Sequence, residues 1–309
     1  MNIIFMGTPD FAIPSLSRLI ASDNNILGVV TQPDRPRGRS KKLQPPSVKT
    51  LALQHGLPVL QPEKVKEDNF IQWLKSQNPD LIVVVAFGQI LPPKILNIPS
   101  SGCINLHASL LPDYRGAAPI NWVLINGEKK TGVTTIFMNE WMDTGGIFLQ
   151  REINIEQEDD ALTLSQRLST LGSKLLLETI IQLKKGILTP IPQNHSKASY
   201  APALKKEDGR IDWSKSAQAI HNQIRGTLPW PGAFANLKNK LLKIFKSKVV
   251  ECESQDTPGK ISQVNPEGIK VATGKGYLLL TEVQLQDRRR MEVAEFIKGN
   301  PVSIETVLT

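Results

Sequence analysis

The sequence predicts a doubly wound, mostly parallel α/β sheet followed by a small C-terminal all-β barrel. Three observations carry this. Strand-like and helix-like segments alternate over the first two-thirds of the chain, residues 81–86 are apolar without interruption, and beyond about residue 187 short strands are separated by turn residues. Alternation of this kind implies a sheet covered by helices. An all-apolar strand belongs in the middle of such a sheet, buried on both faces. Short, turn-punctuated strands suggest a compact all-β unit.

Taken in order, Asn2–Gly7 reads as a short apolar strand, and Pro9-Asp10 opens a helix whose apolar positions include Phe11, Leu16, Leu19 and Ile20. Ile26–Thr31 is a second strand. It leads into the segment 32–46, where Pro, Gly38 and basic residues predict neither helix nor strand. Helices follow near 47–55 and 69–77, then strands at 81–86, Ile104–Leu106 and Thr131–Met138. Residues 161–183 form a long amphipathic helix, with Leu164, Leu168, Leu171 and Leu175 at helical spacing. Asp159 and Asp160 lie near its positive N-terminal end. Residues 189–209, rich in Pro, Ser and Lys, read as a linker, and a short helix near 214–225 closes at Gly226. The strands beyond are punctuated at Asn239, Asn265-Pro266-Glu267-Gly268 and Gly274-Lys275-Gly276. The expected division is therefore an N-terminal domain over 1–188, a linker over 189–209 and a C-terminal domain over 210–309.

A chain of 309 residues is roughly twice the usual size of one domain, which agrees with that division. The longest apolar run, Leu81 to Phe87, is far too short to cross a bilayer, and no secretory signal precedes Asp10. Cys103 and Cys252 are the only cysteines, so neither a disulfide framework nor a cysteine zinc site is expected. His55, His195 and His221 lack metal-ligand spacing, and no metal is expected. These features predict a soluble, cytoplasmic protein, and a monomer is expected. The net charge of +8 is concentrated in two places. Arg35, Arg37, Arg39, Lys41, Lys42 and Lys49 face one acid, Asp34, within 31–49; Lys238, Lys240, Lys243, Lys246 and Lys248 face none within 237–250. Such patches suit a polyanion such as a nucleic acid, although basic solubility is the plain alternative.

The segment 103–116, Cys-Ile-Asn-Leu-His-Ala-Ser-Leu-Leu-Pro-Asp-Tyr-Arg-Gly, carries the candidate chemistry. Asn105 and His107 stand two apart near a strand end, so amide and imidazole project from one face. Ligands of open α/β sheets bind just outside the C-terminal ends of the strands. Asp143, in Met142-Asp143-Thr144-Gly145-Gly146, follows a strand expected in the same sheet and could reach the same crevice. Alone, an Asp before Thr-Gly-Gly is more often a turn residue, and an isolated Asn-x-His more often a polar strand end. The turn Gly7-Thr8-Pro9-Asp10 lacks the G-x-G-x-x-G spacing of a dinucleotide site.

Together, Asn105, His107, Ser109-Leu110-Leu111-Pro112, Asp143 and Gly145 resemble the pattern of the folate-dependent formyltransferase family. The resemblance implies 10-formyltetrahydrofolate as co-substrate. Its pteridine would lie near Phe87, Gly88, Ile90 and Leu91 and be lined by Ser109, Leu110, Leu111 and Pro112. Asn105, His107 and Asp143 would be the catalytic residues. Within the family the match is nearest to members whose acceptor is the methionyl group of a charged initiator tRNA, and it spans nearly the whole chain. It is carried by Phe5–Phe11, Thr31–Pro36, Gly38-Arg39, Lys41–Leu43, Gly132–Thr134 and Arg210–Trp213. That implies an OB-like C-terminal β-barrel and tRNA contacts at Arg39, Lys41, Lys42, Lys205 and Lys206. Ala203, where the family usually has Lys, and Gly226-Thr227-Leu228 before Pro229 depart from the pattern and put particular tRNA contacts in doubt. A small amine acceptor, or a non-catalytic tRNA-binding protein, are the competing readings.

Overall fold

The computed structural model describes residues 1–37, 42–253 and 255–309. The chain forms two compact units. Unit 1 comprises Met1–Pro119, Lys130–Asn154 and Ser165–Ala201; unit 2 comprises Ile120–Lys129, Ile155–Leu164 and Pro202–Thr309. The second unit thus takes in two segments from the first half of the chain, and residues 189–201 fold with the first.

Up to residue 107 the order is β1 (Asn2–Gly7), α1 (Ile13–Ile20), β2 (Asn25–Val30), β3 (Arg35–Arg37), β4 (Lys42–Gln44), α2 (Ser47–Gln54), β5 (Val59–Leu60), α3 (Asp68–Ser76), β6 (Leu81–Val85), α4 (Pro93–Leu96) and β7 (Cys103–His107). There follow α5 (Pro119–Ile125), β8 (Lys130–Phe137), β9 (Ile147–Asn154) and α6 (Ala161–Lys184). Seven strands make one sheet in the order β5-β2-β1-β6-β7-β8-β9. The five strands from β5 to β7 are parallel, and chain order reverses between β1 and β6. The all-apolar β6 is buried along its whole length, as a central strand must be. Helix α6 lies close against β7, because Gly172 leaves only enough room for Leu106; a Cβ there would sit 2.7 Å from the leucine methyl. The opposite face of β7 carries Asn105 and His107, by strand alternation.

Three features differ from expectation. First, β8 and β9 run antiparallel to their neighbours. β9 escapes sequence reading because its edge position leaves most of its residues half-buried or exposed, so apolar alternation is weak. Second, β3 and β4 form a short antiparallel ribbon, Arg35 opposite Gln44 and Arg37 opposite Lys42, inside the segment expected to be irregular. A two-stranded ribbon tolerates Pro36 because proline's missing N–H costs nothing at an edge position without a ladder bond. Third, the segment read as a linker is ordered: Ile191 exchanges main-chain hydrogen bonds of 2.8 Å with Ile147, and residues 195–197 and 206–209 are short 3-10 turns.

Unit 2 contains α7 (Ala217–Gly226), β10 (Ala233–Leu237), β11 (Lys240–Val250), β12 (Ile261–Asn265), β13 (Gly268–Ala272), β14 (Tyr277–Leu285), β15 (Met291–Glu292) and α8 (Val293–Gly299). Ser216 caps α7, its hydroxyl accepting from the Ala219 N–H at 3.2 Å. Lys238 and Asn239, with φ of 48° and 64°, make the tight turn that joins β10 to β11. Ile220 and Ile224 of α7 pack with Ala233, Leu242, Ile244 and Leu280 in the core. The sheet is antiparallel, in the order β10-β11-β14-β13-β12 with β15 beside β14. Strand pairing does not close it into the expected barrel. Instead the C-terminal tail occupies the gap: Thr309 exchanges main-chain hydrogen bonds with Asn236 of β10, and Ile261 of β12 exchanges them with Glu305 and Thr306. Both open edges are thereby satisfied by irregular chain, which serves the same purpose as ladder closure.

Candidate active site

The parallel order of β6 and β7 brings Asn105 opposite Val84, and β8 puts Thr134 opposite His107. His107 is 6% exposed. Its Nε2 lies 2.9 Å from the carbonyl oxygen of Tyr114. A carbonyl can only accept, so Nε2 carries the ring proton of the neutral imidazole and Nδ1 offers a lone pair. Nδ1 in turn faces Oδ1 of Asp143 at 3.6 Å, an ion-pair distance and slightly more than a hydrogen bond. A proton delivered to Nδ1 would thus arrive beside a carboxylate. Tautomer control therefore belongs to a main-chain carbonyl, and Asp143 is placed to balance charge.

Asp143 reaches this position by a route that the sequence does not suggest. Because β8 is antiparallel, its end at Phe137 lies opposite Ile104, at the far end of β7 from His107. The loop 138–146 returns the carboxylate to the imidazole. Asp143 takes a φ of 54°, a region asparagine and aspartate tolerate better than other side chains. Its Oδ2 accepts from the Gly116 N–H at 2.8 Å. Gly116 itself has φ of 122°, and a Cβ there would meet the Ala201 carbonyl oxygen at 2.6 Å, so only glycine presents that N–H. Asn105 is half-buried, and its amide has no hydrogen-bond partner among the described residues. It stands about 6.7 Å along the strand from His107, on the same face. Cys103 begins the same strand, but burial pushes its thiol up to about 12, which leaves it inert as a nucleophile.

The segment after β7 is held from below by Thr134. Its hydroxyl donates to the Ser109 carbonyl at 2.6 Å and accepts from the Leu111 N–H at 3.1 Å and the Gln150 amide at 3.0 Å. The Ser109 hydroxyl donates to the Asp113 carbonyl at 2.5 Å. Ser109 and Leu111 are buried, as are Phe87 and Leu91 in the core beside β6, so these four shape the surroundings of the strand ends rather than present side chains there. Ile90 is exposed, Leu110 and Pro112 are half-exposed, and Gly88 has φ of 92°. Ile90, Leu110 and Pro112 thus place apolar surface at the carboxyl ends of β6 and β7. The loops after β1, β2 and β6 are tied there too: the Thr8 hydroxyl and the Gln32 amide both donate to the Phe87 carbonyl, at 2.9 and 3.3 Å.

Sequence reasoning missed Arg115, Gln193 and His195. The Arg115 guanidinium is 3% exposed and donates to Gln193 Oε1 at 3.2 and 2.6 Å and to His195 Nδ1 at 3.0 Å. Gln193 donates to the carbonyls of Asp143 and Gly145 at 2.8 and 2.7 Å. Arg115 sits inside the singled-out segment, but nothing in the linear order links it to residue 193.

The expected tRNA contacts fall into two groups. Arg39, Lys41 and the side chain of Lys42 lie outside the described residues. Lys205 and Lys206 are exposed and carry no ion pair among the described residues. The basic cluster near residue 35 is less free than its composition suggests. Lys49 pairs with Asp34 at 2.8 Å, its hydrogen bond holding that carboxyl below the usual range, and Arg35 pairs with Glu63 at 3.1 Å. On β11, Lys246 lies 3.5 Å from Glu282, whereas Lys240, Lys243 and Lys248 have no carboxylate partner among the described residues.

Comparison with known proteins matches residues 1–180 to the formyl transferase family and residues 203–301 to the formyl transferase C-terminal domain. The chain is 54% identical over 302 residues to a methionyl-tRNA formyltransferase of Thermodesulfovibrio yellowstonii, covering 98% of this chain and 97% of that one. It is 50% identical over 308 residues to a methionyl-tRNA formyltransferase of Clostridioides difficile, covering 100% of both. Among solved structures, the sugar 3N-formyl transferase WlaRD shares the fold at a TM-score of 0.69 and 19% identity, over 94% of this chain and 99% of that one. HypX from Aquifex aeolicus, solved with tetrahydrofolic acid, does so at a TM-score of 0.63 and 18% identity, over 98% of this chain and 50% of that one. With both family halves matched in order and half its residues shared with such relatives end to end, the chain belongs to the formyltransferase family, in its methionyl-tRNA formyltransferase branch.

Proposed function

We propose that the chain transfers the formyl group of 10-formyltetrahydrofolate to the α-amine of methionyl initiator tRNA, working as a cytoplasmic monomer. The end-to-end identity to relatives named for that reaction carries the reading. The folate supplies an activated one-carbon unit: the amine lone pair forms the new C–N bond, the bond to N10 breaks, and the surplus proton ends on the departing nitrogen. Asn105 donates from its free amide to the formyl oxygen as negative charge builds there. His107 accepts the amine proton at Nδ1 while Nε2–H stays on the Tyr114 carbonyl. Asp143 offsets the resulting imidazolium charge. Ile90, Leu110 and Pro112 bind the pteridine side of the co-substrate, in a site shaped by Phe87, Gly88, Leu91, Ser109 and Leu111. Residues 1–188 supply this chemistry, and 210–309 bind tRNA, joined by Arg39, Lys41, Lys42, Lys205 and Lys206. The test is formyl transfer to charged initiator tRNA beside small amine acceptors. Preference for the charged tRNA supports the reading; transfer to a sugar amine alone, or none at all, overturns it.

A further inference from the structure

The two turns that flank His107 come from distant parts of the chain, and something must hold them in register. Tyr114–Gly116 sets Nε2 through the Tyr114 carbonyl; the loop carrying Asp143 sets the surroundings of Nδ1. A direct hydrogen bond from the Gly116 N–H to Asp143 joins them. Further ties run through a third segment, residues 191–201. Its main chain accepts from the Arg115 N–H at Ser199 and donates from Ala201 to the Arg115 carbonyl, at 2.9 and 2.7 Å. Its Gln193 side chain does the rest.

That side chain is fully committed. Both amide N–H groups donate to the main chain of the Asp143 loop, and the amide oxygen accepts from two nitrogens of Arg115. Arg115 is a buried guanidinium without a carboxylate partner among the described residues, an expensive arrangement if it served packing alone. We propose that Gln193 and Arg115 are positioning residues for the His107–Asp143 pair. The amide grips the Asp143 loop, the guanidinium grips the amide, and the same arginine's main chain lies between Tyr114 and Gly116. The strut fixes the carboxylate relative to the imidazole. It rests on the reading above that this pair performs formyl transfer.

Gln193→Glu separates positioning from folding. It keeps an oxygen for Arg115, now charge-assisted, but removes both donors to the Asp143 loop. We expect kcat to fall about 100-fold, as for displacements of a reacting group by about an ångström. The KM for each substrate should stay within about twofold, since ground-state binding is untouched. In an Asp143→Ala background, measured in single turnover, the same substitution should cost less than about threefold, because its effect passes through the carboxylate. Wild-type activity, or a full additional loss in the Asp143→Ala background, overturns the proposal. Should Gln193→Glu fail to fold, Arg115→Lys carries the same expectation, because one ammonium cannot reproduce the forked contact. Wild-type transfer and its reduction by Asp143→Ala are the reference. If either is missing, the functional reading itself has failed and takes this proposal with it.

Discussion

The imidazole site of unit 1 and the lysine-bearing strand β11 of unit 2 are built by opposite means. His107 and Asp143 are at least 87% buried, and each polar atom described for them is held by main chain or faces the other. Lys240, Lys243 and Lys248 project from β11 without partners among the described residues, and the strand's order comes from the apolar residues between them, Leu242 and Ile244. Chemistry on a reacting amine needs atoms fixed to fractions of an ångström; contact with a phosphate chain needs charge within reach. Point changes in the first region should therefore alter turnover, and changes in the second should alter affinity and its salt dependence.

That contrast can be broken most readily at Asn105. Asn105→Ala removes the donor proposed for the formyl oxygen and should lower kcat by about 10²–10³-fold, read by steady-state formylation at saturating substrates. A change in KM alone would move Asn105 from chemistry to binding. The Lys243→Ala, Lys248→Ala double variant should leave kcat as it is. It should weaken tRNA binding several-fold at low salt and reduce the slope of log affinity against log salt by roughly one per lost phosphate contact. An unchanged slope would mean that this face of β11 is only solvated.

Smaller effects sharpen the comparison inside each unit. Thr134→Val leaves a buried N–H and an amide without their acceptor under the Ser109–Pro112 segment, and should destabilise unit 1 by about 1–3 kcal/mol in denaturant unfolding. In unit 2, burial and the nearby Arg225 push the His221 imidazole below its usual value of 6.5, while Ser247 holds its Nδ1 at 3.0 Å. A depressed folded value means that the unfolded chain binds the proton more readily. Stability is complete above about pH 6.5 and declines as pH falls toward the folded value. His221→Gln should flatten that decline; an unaltered acid limb would show that other groups set it.

Much of unit 1 was legible because its strands and helices bury strong apolar patterns: β1, β6 and the long α6 stand within a residue of their expected limits. Asn105 and His107 were legible because strand alternation puts them on one face. The direction of β8 was not, since an apolar strand reads alike whichever way it runs, and with it went the path by which Asp143 returns. Gln193 was hidden for a different reason. Its neighbours Pro192 and Asn194 signal irregular chain, and irregular chain can be as firmly hydrogen-bonded as a strand. The tail that spans the open edges of unit 2 has the same character, with only Leu308 fully buried within it.

In the proposed reaction the Tyr114 carbonyl fixes the tautomer of His107, so that Nδ1 handles the proton beside Asp143. Nitrogen-15 spectroscopy of the imidazole rings tests it most directly, with four histidines to assign and His107→Ala to identify the signal. A neutral ring held by the Tyr114 carbonyl should show a protonated Nε2 and a bare Nδ1. A neutral ring protonated at Nδ1 would contradict it.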